Sequence, residues 1–267
     1  MRIVVCVKQV PNPDIAASQY RVDEQARTVT PVAGVQWVMS PFDEQAVEAA
    51  LRIREVHPAA KITVMSLGPE RARNVLKHGL AMGAEEGVLL TDTAFTDSDG
   101  YTTALTLAAA IKKIGNVDLV LTGRQAADWD SGVVGAGVGE LLGVPVISCA
   151  KEVRIEDGVV RVERVLDDGT EIIEVPLPAV VTVSNEFGAP RTPSLRETMR
   201  AARKPVAAWS ASDLGLAADA VGAAGARRVV ERMFIPVKQN RCELVAGSSP
   251  EEQAAGLALR LREAKLI

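Results

Sequence analysis

Residues 119–143 read "LVLTGRQAADWDSGVVGAGVGELLG". The stretch opens as an apolar strand and closes as a glycine-studded helix. Between them stand a cation (Arg124), an amide (Gln125) and two acids (Asp128 and Asp130). In an open parallel sheet, ligands bind beyond the carboxyl ends of the strands, and this loop lies at such an end. Glycines 132, 135, 137 and 139 fall where the next helix starts. Small residues let backbone N–H groups approach a phosphate, and the helix dipole favours the anion. Ser131 is placed to cap that helix and to donate to an anion. The spacing is neither GxGxxG nor a loop ending in GK[ST], so the two best-known nucleotide fingerprints are absent. The glycines fit equally a helix packed tightly on its sheet. Asp128 and Asp130 would repel a phosphate they faced, but carboxylates beside a nucleotide often accept from ribose hydroxyls. Arg124 can offset their charge or meet a phosphate. The alternative is a solvated polar loop with its own salt bridges. No further ligand cluster points to a metal.

Upstream, strands and helices alternate. "IVVCVK" at 3–8 is a buried strand ended by the turn "PNPD". Residues 12–37 read as an irregular polar excursion. "SPFDEQAVEAALRIREVHP" follows, with Ser40 as helix cap, Pro41 at the first helical position and Asp43 favouring the N-terminus. Ala46, Ala49, Ala50 and Ile53 form its apolar face. "KITVMSLGP", "GVLLTD" and "DLVLTG" are strands, while "ERARNVLKHGLAMG" and "GYTTALTLAAAIKKIG" are helices. This rhythm predicts a three-layer α/β fold, a parallel sheet covered on both faces.

Beyond Pro145 the period becomes two. Asp157-Gly158 and Asp168-Gly169 are hairpin turns, which predicts an antiparallel extension of the same sheet. Ser194 and Glu197 have capping-box spacing before a short helix. From Pro205 the composition turns to Ala, Gly and Ser, and residues 207–226 read as arm or linker. The expected division is therefore 1–204 as the α/β domain and 205–267 as a C-terminal arm. Within the arm, "VVERMFIPV" is a candidate strand. "SPEEQAAGLALRLREAKL" is a capped helix with Ser249, Pro250 and Glu252 in cap, first and third positions.

The 267 residues are 48% apolar, enough for a substantial core. A net charge of −4, no basic block and few aromatics argue against nucleic acid. Cys6, Cys149 and Cys242 form no CxxC pair, so a disulfide framework or zinc site is not expected. No window reaches transmembrane length and the N-terminal run is too short for a signal peptide, so the cytoplasm is expected. His57 and His78 read as ordinary surface histidines. No Ser/His/Asp set or Cys/His pair is visible, so any chemistry is expected from a cofactor.

Four stretches carry a resemblance over nearly the whole chain: "VCVKQVPNP", "SPFDEQAVEAALRIRE", "GRQAADWDSGVVG" and "VERVLDDGTEIIEVPLPAVVTVSNEFGAPRTPSLRETM". In these the chain resembles the beta subunit of electron transfer flavoproteins. The last stretch looks like the family signature, with Arg164, Asp167, Asp168, Gly169 and Glu171 before Leu-Pro-x-Val-Val-Thr. The resemblance implies an adenine-nucleotide-binding α/β fold, paired with an alpha subunit that holds most of the electron-transferring FAD. It implies an electron carrier rather than a stand-alone enzyme. Electrons would pass between dehydrogenases, such as acyl-CoA dehydrogenase in fatty acid oxidation, and a quinone or ferredoxin acceptor. The C-terminal arm would dock on alpha.

Carried over by position, the resemblance implies nucleotide contacts at Cys6, at Ser40, Pro41, Phe42 and Asp43, and at Leu67. It continues them along Gly123, Arg124, Gln125, Ala126, Ala127, Asp128, Trp129, Asp130, Ser131, Gly132, Val133 and Val134. Cys6 would be a small contact, not a nucleophile. Ordinary members hold AMP in this site; electron-bifurcating members hold a second FAD reduced by NADH. Asp43, the small Gly132 and Val134-Gly135 lean towards FAD. Ser40, Trp129 and Val133 match neither pattern. FAD is the favoured ligand and AMP the alternative. A leucine at the place of Leu195 inserts into dehydrogenase partners in the family; from the residues alone, Leu195 could instead close over its own core. A non-redox nucleotide binder of the universal stress type is the competing class, although such proteins lack the hairpin signature and the arm.

Overall fold

The computed structural model of the chain describes residues 1–236 and 242–267. The chain opens with β1 (Arg2–Cys6) and β2 (Gln9–Pro11). The following excursion is not irregular throughout. It carries a short hairpin, β3 (Tyr20–Asp23) and β4 (Thr28–Pro31), and returns through β5 (Trp37–Met39), which pairs with β2. Then come α1 (Pro41–Val56), β6 (Lys61–Leu67), α2 (Arg73–Met82), β7 (Glu86–Leu90), α3 (Gly100–Ile114), β8 (Leu119–Gly123) and α4 (Val134–Leu142). β9 (Val146–Glu156), β10 (Val159–Leu166), β11 (Gly169–Pro176) and β12 (Ala179–Val183) follow. The rest is α5 (Leu195–Arg203), β13 (Ala207–Trp209), the single turn α6 (Gly222–Gly225) and α7 (Pro250–Glu263).

Nine strands form one sheet in the order β11-β10-β9-β12-β8-β1-β6-β7-β13. The ladders from β9 to β13 are parallel, and β10 and β11 add the antiparallel edge. Successive side chains of a strand point to opposite faces. Ile3 and Val5 of β1 therefore join one core layer with α1 and α2, while Val4 and Cys6 join the other with α3 and α4. Strands buried on both faces need apolar residues at every position, which is why they read as continuous apolar runs.

The β9–β10 turn falls on Asp157 (φ 48°) and Gly158 (φ 80°), the doubly left-handed geometry that Asp-Gly favours. The next turn lies one residue earlier than expected. Leu166 pairs with Gly169, so Asp167 and Asp168 make the turn and Gly169 begins β11. The expected capping boxes form at Ser194/Glu197, and Ser249 accepts the Glu252 N–H.

Contacts divide the chain into two units, Met1–Arg21 with Val29–Glu231, and Val22–Thr28 with Arg232–Ile267. The larger unit thus runs past the expected boundary at residue 204. Residues 207–226 are not a linker: β13 pairs with β7, and Ala211 and Val221 are buried in a core layer. The small residues permit close packing. A Cβ at Gly222 would overlap the Ala94 carbonyl oxygen. No strand forms over 229–236, and Val237, the last residue of that candidate strand, lies outside the described residues. In the smaller unit α7 has no buried residue. No helix among the described residues is long and apolar enough to cross a membrane.

Candidate functional site

The parallel register brings the ends of β1, β6 and β8 level, because Cys6 pairs with Met65 on one side and Thr122 on the other. The β2–β5 pair delivers α1 to this rim, where the Ser40 N–H donates to the Lys8 carbonyl at 2.9 Å. Asp43 in the first turn of α1 then bonds to two strand ends at once. Its Oδ2 accepts the Lys8 N–H at 2.8 Å and its Oδ1 accepts the Gly123 N–H at 2.9 Å. One carboxylate thereby joins the exits of β1 and β8 to the helix. Gly123 must be glycine. A Cβ there would fall 2.6 Å from Asp43 Oδ1 and 2.9 Å from the Phe42 carbonyl carbon.

Asp43 is only 5% exposed. Burial pushes its carboxyl up to about 7, against the two N–H bonds and the nearby Lys8 charge, which favour the carboxylate. Burial, then the Asp43 charge, pushes the Cys6 thiol up to about 12. A thiol held protonated is no nucleophile, so Cys6 can act only as a small packing group.

The loop after β8 is tied down at several points. The Arg124 N–H donates to Val183 O at 2.8 Å, and the Ala127 N–H donates to Ser40 Oγ at 3.3 Å. Ser40 therefore stands at the N-cap position of α1 without capping it; its hydroxyl is spent on the loop. Asp128 pairs with Lys8 Nζ at 2.7 Å, and Asp130 accepts from Gln125 Nε2 at 2.8 Å. Both acids are thus engaged within the protein. Asp130 and Gly132 are left-handed, at φ 49° and 66°. Trp129 is 60% exposed on the loop. Arg124 lies 5.2 Å from the Phe42 ring centroid, and its buried Nε has no partner. Leu67 ends β6 on the same rim, packed on the α3–α4 core layer.

The glycines divide between the two readings. A Cβ at Gly135 would fall 2.5 Å from Thr182 Cγ2, one at Gly137 2.9 Å from Ala104 Cβ, and one at Gly139 would overlap Val146 Cγ2. These three let α4 pack tightly on sheet and helix. Gly132 has no neighbour nearer than 3.6 Å and serves the backbone turn instead. Ser131 does not cap α4; Val133 holds the cap position and no side chain satisfies the first turn. Lys8 is not among the contacts that the resemblance implies, yet it stands two residues past β1, at the strand exit. The histidines are structural: His78 pairs with Glu44 at 3.1 Å, and His57 Nε2 lies 3.0 Å from Ile155 O. Among the described residues no group of acids, cysteines and histidines could hold a metal.

A second surface is built around α5. Glu48, almost buried on α1, accepts from Arg191 Nε at 2.7 Å, from the Arg191 N–H at 3.2 Å and from Arg52 Nε at 3.0 Å. Burial raises the Glu48 carboxyl, but the two arginines outweigh it and hold the group below the usual range. Arg191 also reaches Glu55 at 2.8 Å. This network pins the segment before α5. Lys77 Nζ caps the far end of α5, donating to Ala201 O at 3.2 Å and Ala202 O at 3.0 Å and also to Lys204 O. Ala201 is buried against the core, whereas Leu195 is 77% and Met199 58% exposed, one turn apart. They line a shallow groove with Arg196, Arg200 and Arg203. Leu195 does not close over its own core.

The sequence model of the family described as Electron transfer flavoprotein domain matches residues 30–214. The caffeyl-CoA reductase-Etf complex subunit CarD of Acetobacterium woodii is 39% identical over 267 residues, covering 100% of both chains. The electron transfer flavoprotein subunit beta of Megasphaera elsdenii is 34% identical over 260 residues, covering 95% of this chain and 94% of its own. Protein FixA of Bradyrhizobium diazoefficiens is 34% identical over 275 residues, covering 100% of this chain and 93% of its own. On the family-model match and the full-length likeness to these relatives, the chain belongs to the electron transfer flavoprotein beta-subunit family.

Proposed function

We propose that this chain is the beta subunit of a heterodimeric electron transfer flavoprotein. It holds an adenine nucleotide, FAD in preference to AMP, at the rim of its sheet. With an alpha subunit it relays electrons between flavoenzyme dehydrogenases and a quinone or ferredoxin acceptor. The reading rests on one observation above others. The first turn of α4 is uncapped, and at the same strand end Arg124 carries a buried Nε–H without a partner. Unspent backbone N–H groups and a cation together fit the phosphates of a nucleotide. When bound, FAD supplies one- and two-electron redox chemistry, which no side chain of this site can supply.

The chain's own residues hold and position. The Asp43 clamp sets the distance between α1 and the β8 loop, and Lys8 neutralises Asp128 so that the loop presents less repulsion to phosphate. The A. woodii relative is named as part of a caffeyl-CoA reductase complex, which supports a flavoenzyme acting on an acyl-CoA as partner; NADH-dependent bifurcation is the finer reading of the FAD assignment. The smaller unit would dock on alpha, giving the exposed Leu257 and Leu259 of α7 a cover.

Co-expression with an alpha subunit, then extraction and counting of nucleotides, tests the assignment. Two FAD per heterodimer is the expected result. One FAD and one AMP would move the site to the AMP assignment. A chain that takes up no alpha subunit and no flavin would sink the redox reading.

Leu195 is proposed as the anchor for the dehydrogenase. Because it is exposed on a rigid base, Leu195→Ala is expected to change folding stability by less than about 0.5 kcal/mol. Flavin reduction by an acyl-CoA dehydrogenase should slow by roughly tenfold, the loss of one modest hot spot. Melting and reduction are measured on the same variant. A large melting loss with intact kinetics would reject the anchor.

A further inference from the structure

The carboxylate of Asp99 is shared between two backbone segments. Oδ1 caps α3, accepting the Thr102 N–H at 2.9 Å and the Thr102 hydroxyl at 3.1 Å. Oδ2 accepts two further backbone donors from far along the chain, the N–H of Arg227 at 2.7 Å and of Arg228 at 3.0 Å. The same stretch is held by its neighbours. The Ala223 N–H donates to Thr96 O at 2.9 Å, and the Arg227 guanidinium lies 3.5 Å from the Tyr101 ring centroid. Gly222 admits the close approach to Ala94 with a left-handed φ of 57°. Next to Asp99 the loop that precedes α4 also comes to rest. A Cβ on Gly100 would fall 2.6 Å from Val133 Cγ2.

We infer that Asp99 is a latch that fixes the root of the C-terminal segment at Arg227–Arg228, on the same turn against which the loop before α4 is seated. It is a positioning residue, whose oxygens are spent on backbone and on the Thr102 hydroxyl. A bond from backbone N–H to a carboxylate is stronger than one to a neutral acceptor, and two such bonds meet on one oxygen here. Residues 205–228 thus belong to the larger unit, which runs on to Glu231. If the segment beyond docks on an alpha subunit, which rests on the function proposed above, a fixed root lowers the ordering cost of that docking.

Asp99→Ser isolates the latch. Serine is as good a helix cap as aspartate, but it has one short oxygen and cannot also reach the root. In the full-length chain, amide hydrogen exchange at Arg227 and Arg228 should quicken roughly ten- to hundredfold, as expected for losing bonds to a charged acceptor. The Thr102 amide should keep its protection. Unchanged exchange at Arg227 and Arg228 overturns the latch. Equal loss at Thr102 and at the root also overturns it, since the change would then loosen the start of α3 as a whole rather than release the root. If the serine variant does not fold, Asp99→Asn carries the test. Its side chain has one acceptor for the two segments, so protection must fall at the root or at Thr102, and retention at both overturns the inference. Binding of the alpha subunit to the same variant is read separately. Faster root exchange with unmoved affinity would leave the latch standing and count against docking of the segment.

Discussion

Gly123→Ala is expected to destabilise the chain by roughly 3–5 kcal/mol, combining overpacking with the loss of a bond to a charged acceptor. The added Cβ would fall 2.6 Å from Asp43 Oδ1, 2.7 Å from Phe42 Cβ and 2.9 Å from the Phe42 carbonyl carbon. None of these can yield cheaply. The first turn of α1 is rigid backbone, and the carboxylate is held by two N–H donors. Relief would require α1 to lift from the β8 exit, which breaks the Gly123–Asp43 bond and shifts the Ser40–Ala127 contact with it. Gly132→Ala is the control. A Cβ there meets only Arg124 O, at an ordinary 3.6 Å, but φ is 66°, so only a backbone cost of about 1–2 kcal/mol is expected. Denaturant unfolding of both variants measures the difference. If Gly123→Ala unfolds like the parent, the clamp between α1 and β8 is wrong.

Asp43→Ala should cost roughly 2–6 kcal/mol, because it strands one buried and one part-buried N–H donor at about 1–3 kcal/mol each. The Asn variant gives a sharper result through pH. In the folded chain burial lifts the Asp43 carboxyl to about 7. Unfolded, it titrates near about 4. The folded state therefore binds the extra proton between these values. The stability this proton contributes is fully present below about pH 4 and is lost as pH rises through about 7, a span of roughly 4 kcal/mol. Asp43→Asn cannot titrate, so its stability should lack this component. The parent's stability relative to Asp43→Asn should thus fall between about pH 4 and about pH 7 and level off above. Unfolding free energies at a series of pH values measure it. Parallel curves for the two proteins would show that burial does not lift the folded carboxyl above its unfolded range.

Much of this architecture was legible in the sequence. Strand–helix alternation is written in periods of two and 3.6, and each period follows from backbone geometry within a few residues. Asp157-Gly158 makes the expected turn because only residues tolerant of positive φ fit there. Ser194 and Ser249 cap as expected because a cap is a bond between residues three apart. Ser40 had the same local credentials, yet its hydroxyl serves the N–H of Ala127, 87 residues away. No local pattern could reveal that competition.

The glycine run after Asp130 permitted two readings, and the sequence alone held both open. Their division was decided by neighbours from other elements: Thr182, Ala104 and Val146 crowd Gly135, Gly137 and Gly139, and none crowds Gly132. The small residues of 207–226 look like linker composition because a linker and a close-packed edge both avoid bulky side chains; the pairing of β13 with β7 decides between them. Asp43 read as a favourable charge at a helix start, and only assembly of the sheet brings the Lys8 and Gly123 N–H groups to its two oxygens. The sequence by itself determined the main strands and helices of the α/β domain, their order and the family, because these rest on local backbone preference and on residue identity. Which polar groups meet, which glycines are crowded and where the body ends were decided by tertiary structure alone, because each depends on contacts between atoms far apart in the chain.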